Sequence, residues 1–264
     1  MSKALKSLPL LLLACSVVTV FTGCSGKPEV RRQKYLESGQ RYFDKGKYQE
    51  AAIQFQNAIK VDNNFAAAHY KLALTEMKLQ QWTNAYDELT RTLEIQPDNF
   101  AAHLDTANLL IANHQLKDAK EHLDLLLKKD PNNPDVQIAW ANYLAGDKDL
   151  AGAMAAMQKA IQSAPNRVDS YIHLAMLQIT AGQWDTAEAT FNRAIQVNPQ
   201  SSDALISLGQ FYQSRGRFPE AEKPACNIEN SGYCSPGYRD CLLSSYRRTS
   251  RSEYQLKRLY FRIG

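Results

Sequence analysis

The sequence predicts an all-α fold, a solenoid of stacked helical hairpins, and three regularities predict it. An alanine recurs every 34 residues, at Ala51, Ala85, Ala119, Ala153, Ala187 and Ala221. Twelve positions before each stands a small residue: Gly39, Ala73, Ala107, Ala141, Ala175 and Gly209. Four positions after the first five comes a large apolar one, Phe55, Leu89, Leu123, Met157 and Phe191, and twelve after comes Asn63, Pro97, Pro131, Pro165 or Pro199. A constant period of this size is the mark of a repeat architecture. One helical hairpin cannot bury its own apolar face, so neighbours must stack to complete a core.

The chain opens on a different pattern. Lys3 and Lys6 lead into an apolar run at residues 8–21, which has the length of a signal-peptide core and falls short of the roughly 20 residues that a membrane span needs. The run ends in "FTGC", which resembles the lipobox of bacterial lipoproteins: small Gly23 precedes Cys24, although Phe21 stands where leucine is usual. "LLAC", ending at Cys15, is a second formal match, but it leaves a very short apolar region and another apolar stretch behind it. The resemblance implies a signal peptide at 1–23, lipidation of Cys24 and a tether at 24–31. With Ser25 after the cysteine, it also implies delivery to the outer membrane, facing the periplasm. At roughly 0.8 kcal/mol per buried CH₂, several acyl chains on one cysteine anchor far better than one.

From residue 32 each copy holds two apolar-periodic segments of about a dozen residues separated by turn residues, as in "DKGKY" at 44–48 and "TAGQW" at 180–184. Each copy therefore reads as two helices. The small residues let helix backbones approach, the large residue fills the space between repeats, and the proline, which has no amide hydrogen, turns the chain into the next copy. Repeats fall at 32–65, 66–99, 100–133, 134–167 and 168–201, with a sixth from 202, an array spanning 32–222. This order of small residue, alanine, large residue and proline at a period of 34 resembles the tetratricopeptide repeat (TPR) over about 190 residues. The resemblance implies a right-handed superhelix whose first helices line a groove for extended or helical segments of other proteins.

Carried over by register, the groove positions are Leu36, Gln40, Phe43, Tyr70, Leu74, Met77, Leu104, Asn108, Ile111, Ile138, Asn142, Ile172, Met176 and Ile179. They describe an apolar trough with amides at its centre. Asn108 and Asn142, one repeat apart, can hold a peptide backbone through paired donors and acceptors. Tyr70, Met77 and Met176 supply adaptable apolar contact. The fifth position of each repeat, which holds Ile138 and Ile172, also touches the neighbouring helix, so a core role stands beside the groove role. Lys71 and Lys78 stand nearly alone as groove cations, which argues against a clamp for a terminal carboxylate and for an apolar or amphipathic ligand.

Chemistry is not indicated. No HExxH, phosphate-binding glycine loop or serine elbow occurs, so the expectation is a non-enzyme without cofactor, metal or catalytic residues. His69 and His103 share a packing position, and Trp82, Trp140 and Trp184 read as core. A net charge of +4 implies no nucleic-acid partner, and it is uneven: the last 42 residues carry eight Lys and Arg against three Asp and Glu.

The sixth copy fails partway. Pro224 falls inside its second helix, Ala225 stands where a bulky residue is due, and Cys226, Cys234 and Cys241 crowd a tail at 223–264 rich in Ser, Tyr and Arg. Three readings are open: a cysteine-stapled appendage; an Arg-rich tail for acidic partners or nucleic acid, which reads equally as a solvated disordered segment; and translation out of frame, favoured because the break lies within a repeat. An appendage would give the protein a redox or metal-linked accessory role as the alternative to a scaffold. The first helix of this copy is expected to cap the array imperfectly and to expose Leu205 and Phe211.

Overall fold

The computed structural model describes residues 27–217 together with 220 and 221. The signal peptide, Cys24 and Ser25, the break at Pro224 and the tail cysteines all lie outside the described residues. Among the described residues there are eleven α-helices and no strand. None of these helices is long and apolar enough to cross a membrane.

The chain forms two compact units, divided after Pro97. The first holds α1 (Pro28–Asp44), α2 (Tyr48–Val61), α3 (Ala66–Lys78) and α4 (Trp82–Ile95). The second holds α5 (Phe100–Ala112), α6 (Leu116–Lys129), α7 (Pro134–Gly146), α8 (Leu150–Ser163), α9 (Val168–Thr180), α10 (Trp184–Val197) and α11 (Ser202–Ser214). Within each unit the helices pair as hairpins, and each hairpin packs on the next.

Helix α1 starts earlier than its repeat and takes in the last four residues of the expected tether. Pro28 at its first position needs no amide partner and presets φ, and Glu29 suits the positive end of the helix dipole. Arg32 then pairs with Asp62 and lies 4.6 Å from the centre of the Phe65 ring, tying the start of α1 to the loop after α2.

Every hairpin turns in the same way. A single residue in the left-handed region recurs at the 34-residue period: Gly46, Gln80, His114, Lys148, Gly182 and Gly216, with φ between 59° and 73°. Its N–H donates three residues back and the next N–H five back, as Gly46 to Phe43 and Lys47 to Tyr42, or Lys148 to Ala145 and Asp149 to Leu144. These paired bonds satisfy carbonyls that the helix end would leave open and stop the helix in a Schellman motif. The opposite corners, between hairpins, are capped where the sequence permits. Asn99 accepts from the Ala102 N–H, Asn133 from those of Asp135 and Val136, and Ser201 from that of Ala204.

The small and large residues of the period meet inside the hairpins. A Cβ on Gly39 would lie 2.5 Å from Phe55 Cε1, so only glycine admits that ring. Phe55, Leu89, Leu123, Met157 and Phe191 are all fully or almost fully buried. Each such side chain contributes on the order of 1.5–3 kcal/mol of burial. Leu205 and Phe211 correct the expectation of an exposed cap: both are buried. Helix α11 lies against α9 and α10, and the Phe211 ring sits 5.7 Å from Phe191 and 6.5 Å from Trp184. Trp184, expected in the core, is instead exposed at the first position of α10, with Arg215 over its ring at 4.8 Å.

Candidate functional site

The stripe i, i+4, i+7 along each first helix places the groove positions in two sets, one in each unit. In the first unit Leu36, Gln40 and Phe43 lie on α1, and Tyr70, Leu74 and Met77 on the adjoining α3; all six are half-buried. Leu36 and Phe43 lean on the core formed by Ala51, Phe55 and Leu72. Phe43 meets Tyr48 edge-on with ring centres 5.3 Å apart, and Gln40 donates to Asp44 at 2.7 Å.

In the second unit Leu104 and Asn108 lie on α5, Ile138 and Asn142 on α7, and Met176 and Ile179 on α9, again half-buried. Helix α5 touches α7, and α9 touches α11. The Asn108 and Asn142 side chains make no hydrogen bond with any described residue, so these amides are free to serve a ligand. Two expected groove residues are corrected. Ile111 is 2% exposed and packs with Leu110, Leu123 and Val136. Ile172 is 6% exposed and packs with Ala175, Phe191 and Leu208. Both point into the helix contacts and have too little open surface to touch a ligand.

Several polar groups behind the stripe were not visible as a set in the sequence. His69 is buried; its Nδ1 lies 2.5 Å from Glu88 Oε2 and its Nε2 3.0 Å from the Asn63 carbonyl. Burial opposes its charge, but the bonds to Glu88 and Asn63 outweigh that and hold its pKa above the ordinary value. Glu76, on the same helix, is 5% exposed. Burial first, then the nearby charges of Glu88 and Asp87, push its pKa up to about 7. Its position in the repeat is taken by Leu110 and Leu144 in the next two copies, which is the one sign of it in the sequence.

In the third repeat the corresponding pair is His103 and His122, Nδ1 to Nδ1 at 2.7 Å, so one ring donates while the other accepts. Burial, and then the proximity of His103, hold the His122 pKa below its usual value. Among the described residues no three His, Cys, Asp or Glu side chains gather as a metal site.

Helical hairpins repeated at a fixed period and stacked within each unit make this a helical-repeat protein, whose fold serves protein–protein contact. Models described as tetratricopeptide repeat or TPR repeat match residues 39–79, 76–142, 144–200 and 173–231. The chain belongs to the tetratricopeptide-repeat family, and its fold class is the all-α solenoid of that family. No curated protein sequence matches it.

Among solved structures it resembles PilW, described as a widely conserved type IV pilus biogenesis factor. The TM-score is 0.67 at 16% identity, over 81% of this chain and 97% of that one. It also resembles PilF of Pseudomonas aeruginosa, with TM-score 0.61 and 16% identity over 84% and 99% of the two chains. MamA of Desulfovibrio magneticus RS-1 gives TM-score 0.59 and 20% identity over 67% and 98%. At these identities the likeness is one of fold.

Proposed function

We propose that the protein is a non-catalytic scaffold of the bacterial envelope, held in the outer membrane by lipid on Cys24 and facing the periplasm. It binds peptide or helical segments of envelope partners along its first helices. The observation that carries the binding reading is the pair Asn108 and Asn142, half-buried, one repeat apart and without hydrogen-bond partners among the described residues, beside half-buried Leu104, Ile138 and Met176. An amide can both donate to and accept from a peptide unit, and the apolar neighbours lend area without demanding one sequence. The lipobox at Cys24 supports the anchor, and the resemblance to a pilus biogenesis factor is in keeping with an assembly role in the envelope.

The test is affinity capture from solubilised envelope by the full chain, comparing the wild type with the double variant Asn108→Ala and Asn142→Ala. Partner recovery should fall about tenfold, the loss expected when two hydrogen-bonding side chains leave an interface. An unchanged set of partners in the same yield excludes the groove. Labelling with radioactive palmitate, present in the wild type and lost in Cys24→Ser, tests the anchor separately.

A further inference from the structure

We infer that the His103–His122 pair is an acid-released clasp between α5 and α6, opposite in sign to the His69–Glu88 clasp of the repeat before it. Two positions 19 apart, recurring at the 34-residue period, join the helices of a hairpin through their side chains: His69 with Glu88 in repeat two, and His103 with His122 in repeat three. The same positions hold Tyr35 and Gln54 in repeat one, Gln137 and Ala156 in repeat four, and Tyr171 and Thr190 in repeat five. None of these changes charge between about pH 5 and pH 8. Of the five full repeats, two and three alone carry a pair that does.

The acceptors decide the sign. His69 faces two oxygens, Glu88 Oε2 at 2.5 Å from Nδ1 and the Asn63 carbonyl at 3.0 Å from Nε2. A neutral imidazole has one N–H and satisfies one of them, whereas the imidazolium has two and satisfies both, so a proton tightens this pair. His103 and His122 face each other instead, Nδ1 to Nδ1 at 2.7 Å. Their bridge needs one Nδ1 with a hydrogen and one without. A first proton can add to the far nitrogen of the donating ring, Nε2, and leave the bridge intact. A second has to add to the accepting Nδ1; it sets N–H against N–H and one cation beside another, and the bridge breaks.

The charges around the pair do not reverse this. On α6, Glu121 and Asp118 favour a charged His122, yet burial first and His103 second outweigh them and keep its pKa below the ordinary 6.5. The other charged groups of α6 are Lys117, Lys120, which pairs with Asp124, and Lys128 and Lys129 in its last turn. Helix α5 adds Asp105, and α7, which packs on both helices, adds Asp135, paired with Arg167, and the buried phenol of Tyr143. Between its folded value and 6.5 the unfolded chain binds more protons at His122 than the fold does, so its contribution is whole above 6.5 and is lost as pH falls through the folded value. For His69, whose folded pKa is raised, the order is reversed: its contribution is whole below 6.5 and is lost as pH rises through the folded value.

Hydrogen–deuterium exchange of the detergent-solubilised full chain, read at about pH 7.5 and about pH 5 and corrected for the intrinsic rate, tests the clasp. Protection of the α5 and α6 amides should fall about fivefold in acid, the scale of one lost hydrogen bond, while that of α3 and α4 does not fall. His122→Glu rebuilds the partner that repeat two has and should reverse the sign, so that α5 and α6 are better protected in acid. His122→Gln, whose amide can take the bond in either charge state of His103, should abolish the response. Circular dichroism at neutral pH checks that both variants keep the wild-type helicity; if either does not fold, the wild-type contrast between the two hairpins still decides. The inference is overturned if α5 and α6 keep their protection in acid, if all helices lose it together, or if the loss persists in His122→Gln.

Discussion

Lys148 occupies a backbone conformation that suits glycine, as do Gln80 and His114, while the same turn in three other repeats has glycine itself. A non-glycine residue there costs about 1 kcal/mol through the clash of Cβ with backbone. The Lys148 side chain is exposed and makes no hydrogen bond or ion pair with any described residue. Lys148→Gly should therefore stabilise the protein by ~0.5–1 kcal/mol, less what the freer unfolded chain takes back. Urea unfolding measures it, and a loss of stability would mean that the lysine makes a contact the turn geometry does not suggest.

Glu76 has the opposite problem, a carboxyl buried against other acids. Its folded pKa, about 7, lies above the ordinary 4.5, so the folded state holds a proton that the unfolded chain releases. Stability is undiminished below the unfolded value and declines as pH rises from there to the folded one, by on the order of 3 kcal/mol in all. Glu76→Gln removes that dependence. The variant should exceed the wild type at pH 8 and match it within error near pH 4.5; an equal gap at both pH values would show that ionisation is not the cause.

At the scale of the helices, the pairing of Gly39 with Phe55 shows how the period becomes packing. Phe55 is fully buried between Ala51 and Leu72 and has nowhere to move. Gly39→Ala gains about 0.5–1 kcal/mol of helix propensity, but overpacking typically costs 1–3 kcal/mol. The expected net effect is a lower melting temperature, recovered in Gly39→Ala combined with Phe55→Leu, the pair that repeats two and three use as Ala73 with Leu89 and Ala107 with Leu123. If the second substitution deepens the loss instead, Phe55 is needed for its own volume. Repeat five keeps alanine with phenylalanine, and there the Phe191 ring packs beside Phe211 of α11.

For the molecule as a whole, the fold was legible because its signal is redundant: six alanines, six small partners and four prolines all state one interval, and no single substitution hides it. The binding surfaces were less so. Ile111 and Ile172 fit the groove spacing yet turn into helix contacts, since a stripe of i, i+4, i+7 includes positions at its edge whose fate depends on the next helix. The cap differs from the sequence expectation for a similar reason: Phe211 is buried in a core that α11 shares with α9, α10 and Ala221, and Leu205 is buried as well, which the spacing of the sixth repeat does not reveal.

The left-handed turns carry one more implication. At Gly46, Gly182 and Gly216 no described residue other than the chain neighbours lies within 4 Å of where a side chain would begin, so these hairpin tips leave room for one. Exposed neighbours such as Lys45, Asp147 and Arg215 are natural attachment points for a fluorophore or a cross-linker, spaced at the interval of the repeat itself. A set of such labels turns the regularity of the chain into a ruler for locating whatever docks on it.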